Sequence, residues 1–179
     1  IGHMVSCLPS YTQLGMASLL PHKELSLQNK SDIVIADSVS TKGTPARAKI
    51  LDANAGVRAT ALNAKDFMNM NSAKEGRDFV KQYDLIYIYH NRIDNEGDDT
   101  ISEEKVFDAV EIEIQYLMDV LRKIANMNGT NMIITADHGF IYQHSELDES
   151  DFSVSSHEGE VWKENRRFVM GTNLSSDSA

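Results

Sequence analysis

Two short runs of β-branched and aromatic residues bracket one long amphipathic stretch, and few folds accommodate that order. Asp84-Leu85-Ile86-Tyr87-Ile88-Tyr89-His90 is too short for a helix. Its unbroken apolar character suits a strand buried on both faces of a parallel sheet. From Ser102 to Met127, Val106, Ala109, Val110, Ile114, Leu117, Leu121 and Ile124 fall on one helical stripe. Thr100-Ile101-Ser102-Glu103 fits a capping box at its start, and Gly129 stops it. Met132-Ile133-Ile134-Thr135-Ala136 then reads as a second buried strand. Strand, helix, strand is a βαβ unit, so the two strands are expected to be parallel with the helix packed across them. The expected fold class is α/β, a mostly parallel sheet flanked by helices.

The remaining chain supplies shorter elements. Leu8 to Leu20 reads as a helix capped by Ser10 or Thr12 and ended by Pro21. Gly15 counts against that helix unless a neighbour packs too closely for a side chain. A strand is expected over Asp32 to Ala36, a turn over Ser40 to Gly43 and a helix from Thr44 to Leu51. A short strand near Ala59 to Leu62 and helices over Ala64 to Met70 and Ala73 to Tyr83 follow. Tyr87 and Tyr89 are expected to alternate across the sheet. Ile1 to Met4 resembles a cloning scar. Residues 5–171 read as part of one domain, and 172–179 as a polar tail at its boundary.

Composition narrows the function. The 179 residues carry 27 acidic and 17 basic side chains, a net charge of -10, which disfavours a broad DNA-binding face. One cysteine, Cys7, excludes an internal disulfide and suits a reducing, cytoplasmic setting. The expected place for Cys7 is facing a core. No apolar run reaches 18 residues, so no membrane partner is expected.

Three constellations can carry chemistry. Asp137-His138-Gly139 directly follows the second expected strand, at the end where α/β sheets place ligands. Aspartate and histidine together suit zinc or a similar ion. The plainer reading is a capping aspartate beside a solvated histidine. His90-Asn91-Arg92-Ile93-Asp94-Asn95-Glu96-Gly97-Asp98-Asp99 follows the first strand. Asp94 and Asp98 flank a turn glycine, and carboxylates gathered there would need a cation between them. The alternative is an acidic surface loop. Pro9-Ser10-Tyr11-Thr12-Gln13 puts hydroxyls at a helix start, where they bind phosphate, become nucleophiles beside a metal, or simply cap. Arg47 and Arg166-Arg167 are weaker anion contacts that salt bridging explains as well. His144 and His157 are potential ligands whose polar surroundings favour solvent.

Taken together, these motifs resemble the PglZ domain of the alkaline phosphatase superfamily. The resemblance rests on Leu8 to Met16 with Leu19-Leu20-Pro21, and on Ser40 to Thr44 with Arg47 and Leu51. Tyr89-His90-Asn91 with Asp94 and Gly97-Asp98, and Ile134 to Phe140, complete it. It implies a phage growth limitation or BREX-type defence protein working with other proteins of its system. It also implies two divalent metals, usually zinc, and a serine or threonine nucleophile acting on a phosphate ester or phosphodiester. Nucleic acid would enter only as substrate. Thr12 is the first choice for the nucleophile and Ser10 the second; Asp137 and His138 resemble one metal's ligand pair. Asp94-Asn95-Glu96-Gly97-Asp98 resembles the other metal's Asp-x-x-Gly-His, with Asp98 in the histidine's place. That swap favours a harder ion such as manganese or magnesium. It also supports a rival reading, a non-catalytic scaffold of the same fold.

The family's first-strand aspartate would precede Val5, and a late histidine ligand would follow Ala179. This chain alone is therefore expected to bind metal weakly and to lack useful turnover. A strand edge left unpaired would invite a second copy into a homo-oligomer.

Overall fold

A computed structural model describes residues 1–91, 106–139, 157–165 and 168–176. In chain order the elements are α1 (Thr12–Ser18), β1 (Leu25–Leu27), β2 (Val34–Ala36), β3 (Val39–Ser40), α2 (Thr44–Asn54) and β4 (Ala59–Asn63). Then come α3 (Ala64–Asn69), α4 (Glu75–Gln82), β5 (Leu85–Tyr89), α5 (Val106–Asn126), β6 (His157–Asn165) and β7 (Phe168–Ser176). The protein is mixed α/β, and it divides into two compact units, Ile1–Lys42 with Ala136–Ala179, and Gly43–Thr135.

The second unit contains the parallel pairing. β4 and β5 run parallel in register from Ala59↔Leu85 to Asn63↔Tyr89, joined through α3 and α4. This is a βαβ connection, one step earlier in the chain than the sequence suggested. At the amino ends Arg58 grips Asp84, with Nη2 donating to Oδ1 at 2.8 Å and Nε to Oδ2 at 3.0 Å. At the opposite ends, β4 runs directly into α3 and β5 is followed by His90. Val120 of α5, and Met127 just past its end, pack on Phe67, with Leu62, Val80, Ile88, Tyr116 and Ile124 around them. Lys123 Nζ donates to the carbonyls of Met68 and Met70, at 2.8 and 2.6 Å, and so fastens α5 to the end of α3. At Gly76 an added Cβ would lie 2.3 Å from Met127 Cε, so α4 is seated by the lack of a side chain.

The expected strand at Met132 to Ala136 is a correction. These residues form no ladder among the described residues, and β5 takes β4 as its partner instead. Ile133 is 90% exposed. A buried-strand reading presumes neighbours that supply hydrogen bonds, and a run without a neighbour has no ladder to join. A second correction concerns Tyr87 and Tyr89. They share one face of β5, with rings 6.3 Å apart, as two-residue spacing in a strand requires.

The first unit contains a small antiparallel sheet, β1-β2-β3, and the β6–β7 hairpin. Of the residues expected as a polar tail, those as far as Ser176 belong to β7. Its backbone pairs with β6, and that pairing does not depend on apolar side chains. Tyr11, Ala17, Val34 and Met170 form the core, with Leu14, Leu25 and Phe168 against it. The Tyr11 hydroxyl donates to the Asp32 carbonyl at 3.1 Å, and its ring lies 5.2 Å from that of Phe168. Burial, with the Asp32 charge second, raises the Tyr11 pKa. Cys7 is exposed, against the expectation of a core position.

Lys163 of β6 forms an ion pair with Asp32 beside this core. Its hydrogen bond, first among several causes, holds the Asp32 carboxyl below the ordinary value of 3.8. A depressed carboxylate stabilises the fold above its unfolded pKa, and that contribution is lost as pH falls through the folded pKa. Asp32→Asn should therefore lose less thermal stability than the parent between about pH 6 and about pH 3, by under about 1 kcal/mol for a pair this exposed. Identical acid dependence in both proteins, measured by circular dichroism melts, would contradict the assignment.

Candidate active site

Within the first unit, α1 brings a hydroxyl against the Asp137-His138 pair. Thr12 is the first residue of α1, and Tyr11 is its N-cap, with no side-chain capping bond. Thr12 is therefore the first helical residue and not the N-cap. Its Oγ1 lies 3.2 Å from His138 Nε2. The other ring nitrogen, His138 Nδ1, lies 3.2 Å from the Gly139 carbonyl. A carbonyl only accepts, so Nδ1 carries the proton and Nε2 presents a lone pair. The Thr12 hydroxyl then donates to Nε2.

Asp137 completes the group. Its Oδ2 is 3.7 Å from His138 Nε2, and the two side chains retain 14% and 10% exposure. That Oδ2 is buried without a hydrogen-bond partner among the described residues. Burying an unsatisfied acceptor costs on the order of 1–3 kcal/mol, more when it is charged. A cation between Asp137 Oδ2 and His138 Nε2 would remove that cost; it would take the Nε2 lone pair in place of the Thr12 hydrogen bond and leave Thr12 Oγ1 beside it as an oxygen donor. Two zinc–ligand bonds of about 2.0–2.2 Å each can span the gap between these atoms. The donor set of carboxylate, imidazole and hydroxyl thus fits a divalent metal. Among the described residues, no cluster of three or more His, Cys, Asp or Glu gathers. The protein supplies two such ligands here, and Thr12 is the third donor.

Gly15 sets the approach. A Cβ there would sit 2.5 Å from the Asp137 carbonyl oxygen and 2.9 Å from its carbonyl carbon, both backbone atoms. The glycine that weakens α1 by propensity is what lets α1 lie against Asp137. Sequence reasoning left that role open; only the contact identifies it.

The other expected site residues fall as follows. Ser10 is half-buried and has no hydrogen bond to this group among the described residues. Asp94, Asp98, His144, Arg166 and Arg167 lie outside the described residues. His157 begins β6, opposite Ser176. Arg47 is buried on α2, its guanidinium 5.0 Å from the centre of the Tyr89 ring. Burial pushes the Tyr89 hydroxyl up to about 12, against a smaller opposing pull from Arg47. No helix among the described residues is long and apolar enough to cross a membrane.

Gly15→Ala should separate Thr12 from His138 while leaving most of the helix content intact. The expected result is a changed histidine signal for His138 in NMR spectra, with far-UV circular dichroism preserved. An unchanged His138 environment would contradict the close approach.

The whole chain, residues 1–179, matches the family described as the BREX system PglZ alkaline phosphatase-like domain. It is 41% identical over 173 residues to the alkaline phosphatase-like protein BrxZ of Escherichia coli O9:H4 (strain HS), covering 95% of this chain and 20% of that protein. It is 36% identical over 174 residues to the alkaline phosphatase-like protein PglZ of Bacillus cereus (strain H3081.97), covering 97% of this chain and 20% of that protein. The chain thus spans about a fifth of the length of these curated relatives. No solved structure matches it.

Proposed function

Because the chain belongs to the BREX system PglZ alkaline phosphatase-like family, we propose that it forms part of a metal-dependent phosphoesterase of a bacterial anti-phage system. The observation that supports this reading is the meeting of Thr12 Oγ1, His138 Nε2 and Asp137 Oδ2. A nucleophile-type hydroxyl beside a carboxylate and an imidazole lone pair is the set that phosphoryl transfer with a metal needs.

In this reading Asp137 and His138 hold one divalent ion, with zinc favoured and manganese or magnesium as alternatives. Asp94 and Asp98 are assigned to a second ion from the sequence alone. Bound metal would supply positive charge that lowers the pKa of the Thr12 hydroxyl and offsets charge on phosphoryl oxygens. Thr12 Oγ1 attacks phosphorus, forming an O–P bond as the bond to the leaving oxygen breaks. Water then cleaves the phosphothreonine, releasing phosphate or a phosphomonoester and restoring the hydroxyl. His138, fixed through Nδ1 by the Gly139 carbonyl, keeps Nε2 directed at this chemistry. The substrate class is a phosphate ester or phosphodiester. The partners are other proteins of the defence system, in the cytoplasm, where a single unpaired cysteine is at home.

The test uses a protein of the relatives' length that carries this chain. Asp137→Ala and His138→Ala should each remove bound metal, measured by elemental mass spectrometry. Each should also lower hydrolysis of bis-(4-nitrophenyl) phosphate by at least about 100-fold, with the circular dichroism spectrum unchanged. Full metal stoichiometry in both variants would favour the scaffold reading.

A further inference from the structure

The second unit contains another oriented imidazole, which the reading above does not use. His90 directly follows β5, at the end of the strand opposite the Arg58–Asp84 grip. Its Nε2 pairs with the carboxylate of Glu113 on α5. Glu113 is almost fully buried, with 1% side-chain exposure, whereas His90 retains 27%. The His90 ring stacks on Tyr116, one helical turn along α5, with centroids 4.8 Å apart and planes 22° apart. Tyr116 in turn packs against the Phe67, Val120 and Met127 core. The imidazole is thus held by a buried anion at one nitrogen and by a stacked ring on its face.

A buried carboxylate is a costly way to fill space. An apolar side chain of similar volume would pack at least as well, so the pair's contribution is in orientation more than in stability. A carboxylate at Nε2 accepts a hydrogen bond from the N–H of a neutral imidazole there, which leaves the lone pair on Nδ1. Metal-binding histidines are commonly arranged this way, with one nitrogen on the ion and the other donating to a carboxylate. The carboxyl end of a parallel strand is also where α/β sheets place ligands.

We propose that His90 is a divalent-cation ligand through Nδ1, and that Glu113 is its positioning residue. The inference rests on the metal-dependent reading. The test is a titration of the 179-residue chain with zinc chloride, following 15N signals of labelled histidines, of which the chain has six. The His90→Ala spectrum identifies the His90 signals. Zinc should move His90 Nδ1, in the parent and equally in His138→Ala. In Glu113→Gln the same signal should move, at a zinc concentration about 10- to 100-fold higher. Zinc that moves His138 and leaves His90 unchanged would overturn this proposal and spare the proposed function. Zinc that moves neither would overturn this proposal, while the proposed function stands or falls on the test in the longer protein. A response at His90 Nε2, or an unchanged affinity in Glu113→Gln, would overturn the role given to Glu113.

Discussion

The candidate site depends on how closely α1 can lie against the backbone at Asp137. Gly15 makes that contact without a Cβ, and any larger residue would meet a backbone carbonyl at 2.5 Å. Everything at the site follows from this distance. Thr12 lies one turn earlier on α1 and so reaches His138, whose ring is fixed through Nδ1. Asp137 then contributes a buried oxygen with no partner among the described residues. The glycine costs roughly 1 kcal/mol of helix propensity relative to alanine. The packing of Tyr11 and Ala17 with Val34 and Met170 offsets that cost and holds α1 in place.

In the second unit, alternation along one strand performs a similar task. Tyr87 and Tyr89 share one face of β5, and Arg47 lies over the Tyr89 ring. Ile88 packs into the Phe67 core with α5, and His90, two residues on, meets Glu113 and Tyr116 of the same helix. One short strand thus serves an aromatic, cationic environment on one side and a hydrophobic core ending in a histidine–carboxylate pair on the other. Arg58 and Asp84 fix the register at the amino end, and the carboxyl end carries the polar groups.

Much of this was legible in the sequence where local periodicity decides the outcome. The helices α2 to α4 and the strands β2, β4 and β5 lie within a few residues of where apolar spacing and turn residues put them, and α5 ends within a residue of its expected end; its expected capping box at Thr100-Ile101-Ser102-Glu103 lies outside the described residues. Elements that depend on distant partners were not legible. Met132 to Ala136 has a strand's composition, yet a strand exists only where another backbone pairs with it. Gly171 to Ser176 has a linker's composition, yet the antiparallel partner β6 makes it a strand. At the site, Asp137, His138 and Thr12 were singled out by residue type and by resemblance, and of the two hydroxyls it is Thr12 whose Oγ1 meets His138. Glu113 could not be found by pattern, because a glutamate in an amphipathic helix, like Glu111 two residues before it, reads as solvent-facing until its burial is seen.

The proposed function comes down to one claim: that Thr12, beside Asp137 and His138, is the group that carries the phosphoryl moiety. The most direct measurement is acid quenching of a protein of the relatives' length during turnover of a phosphodiester, followed by peptide mass spectrometry. The account predicts phosphate on the peptide containing Thr12, lost in Thr12→Ala and retained in Ser10→Ala. Turnover at the parent rate in Thr12→Ala, or phosphate found on Ser10 instead, would contradict it.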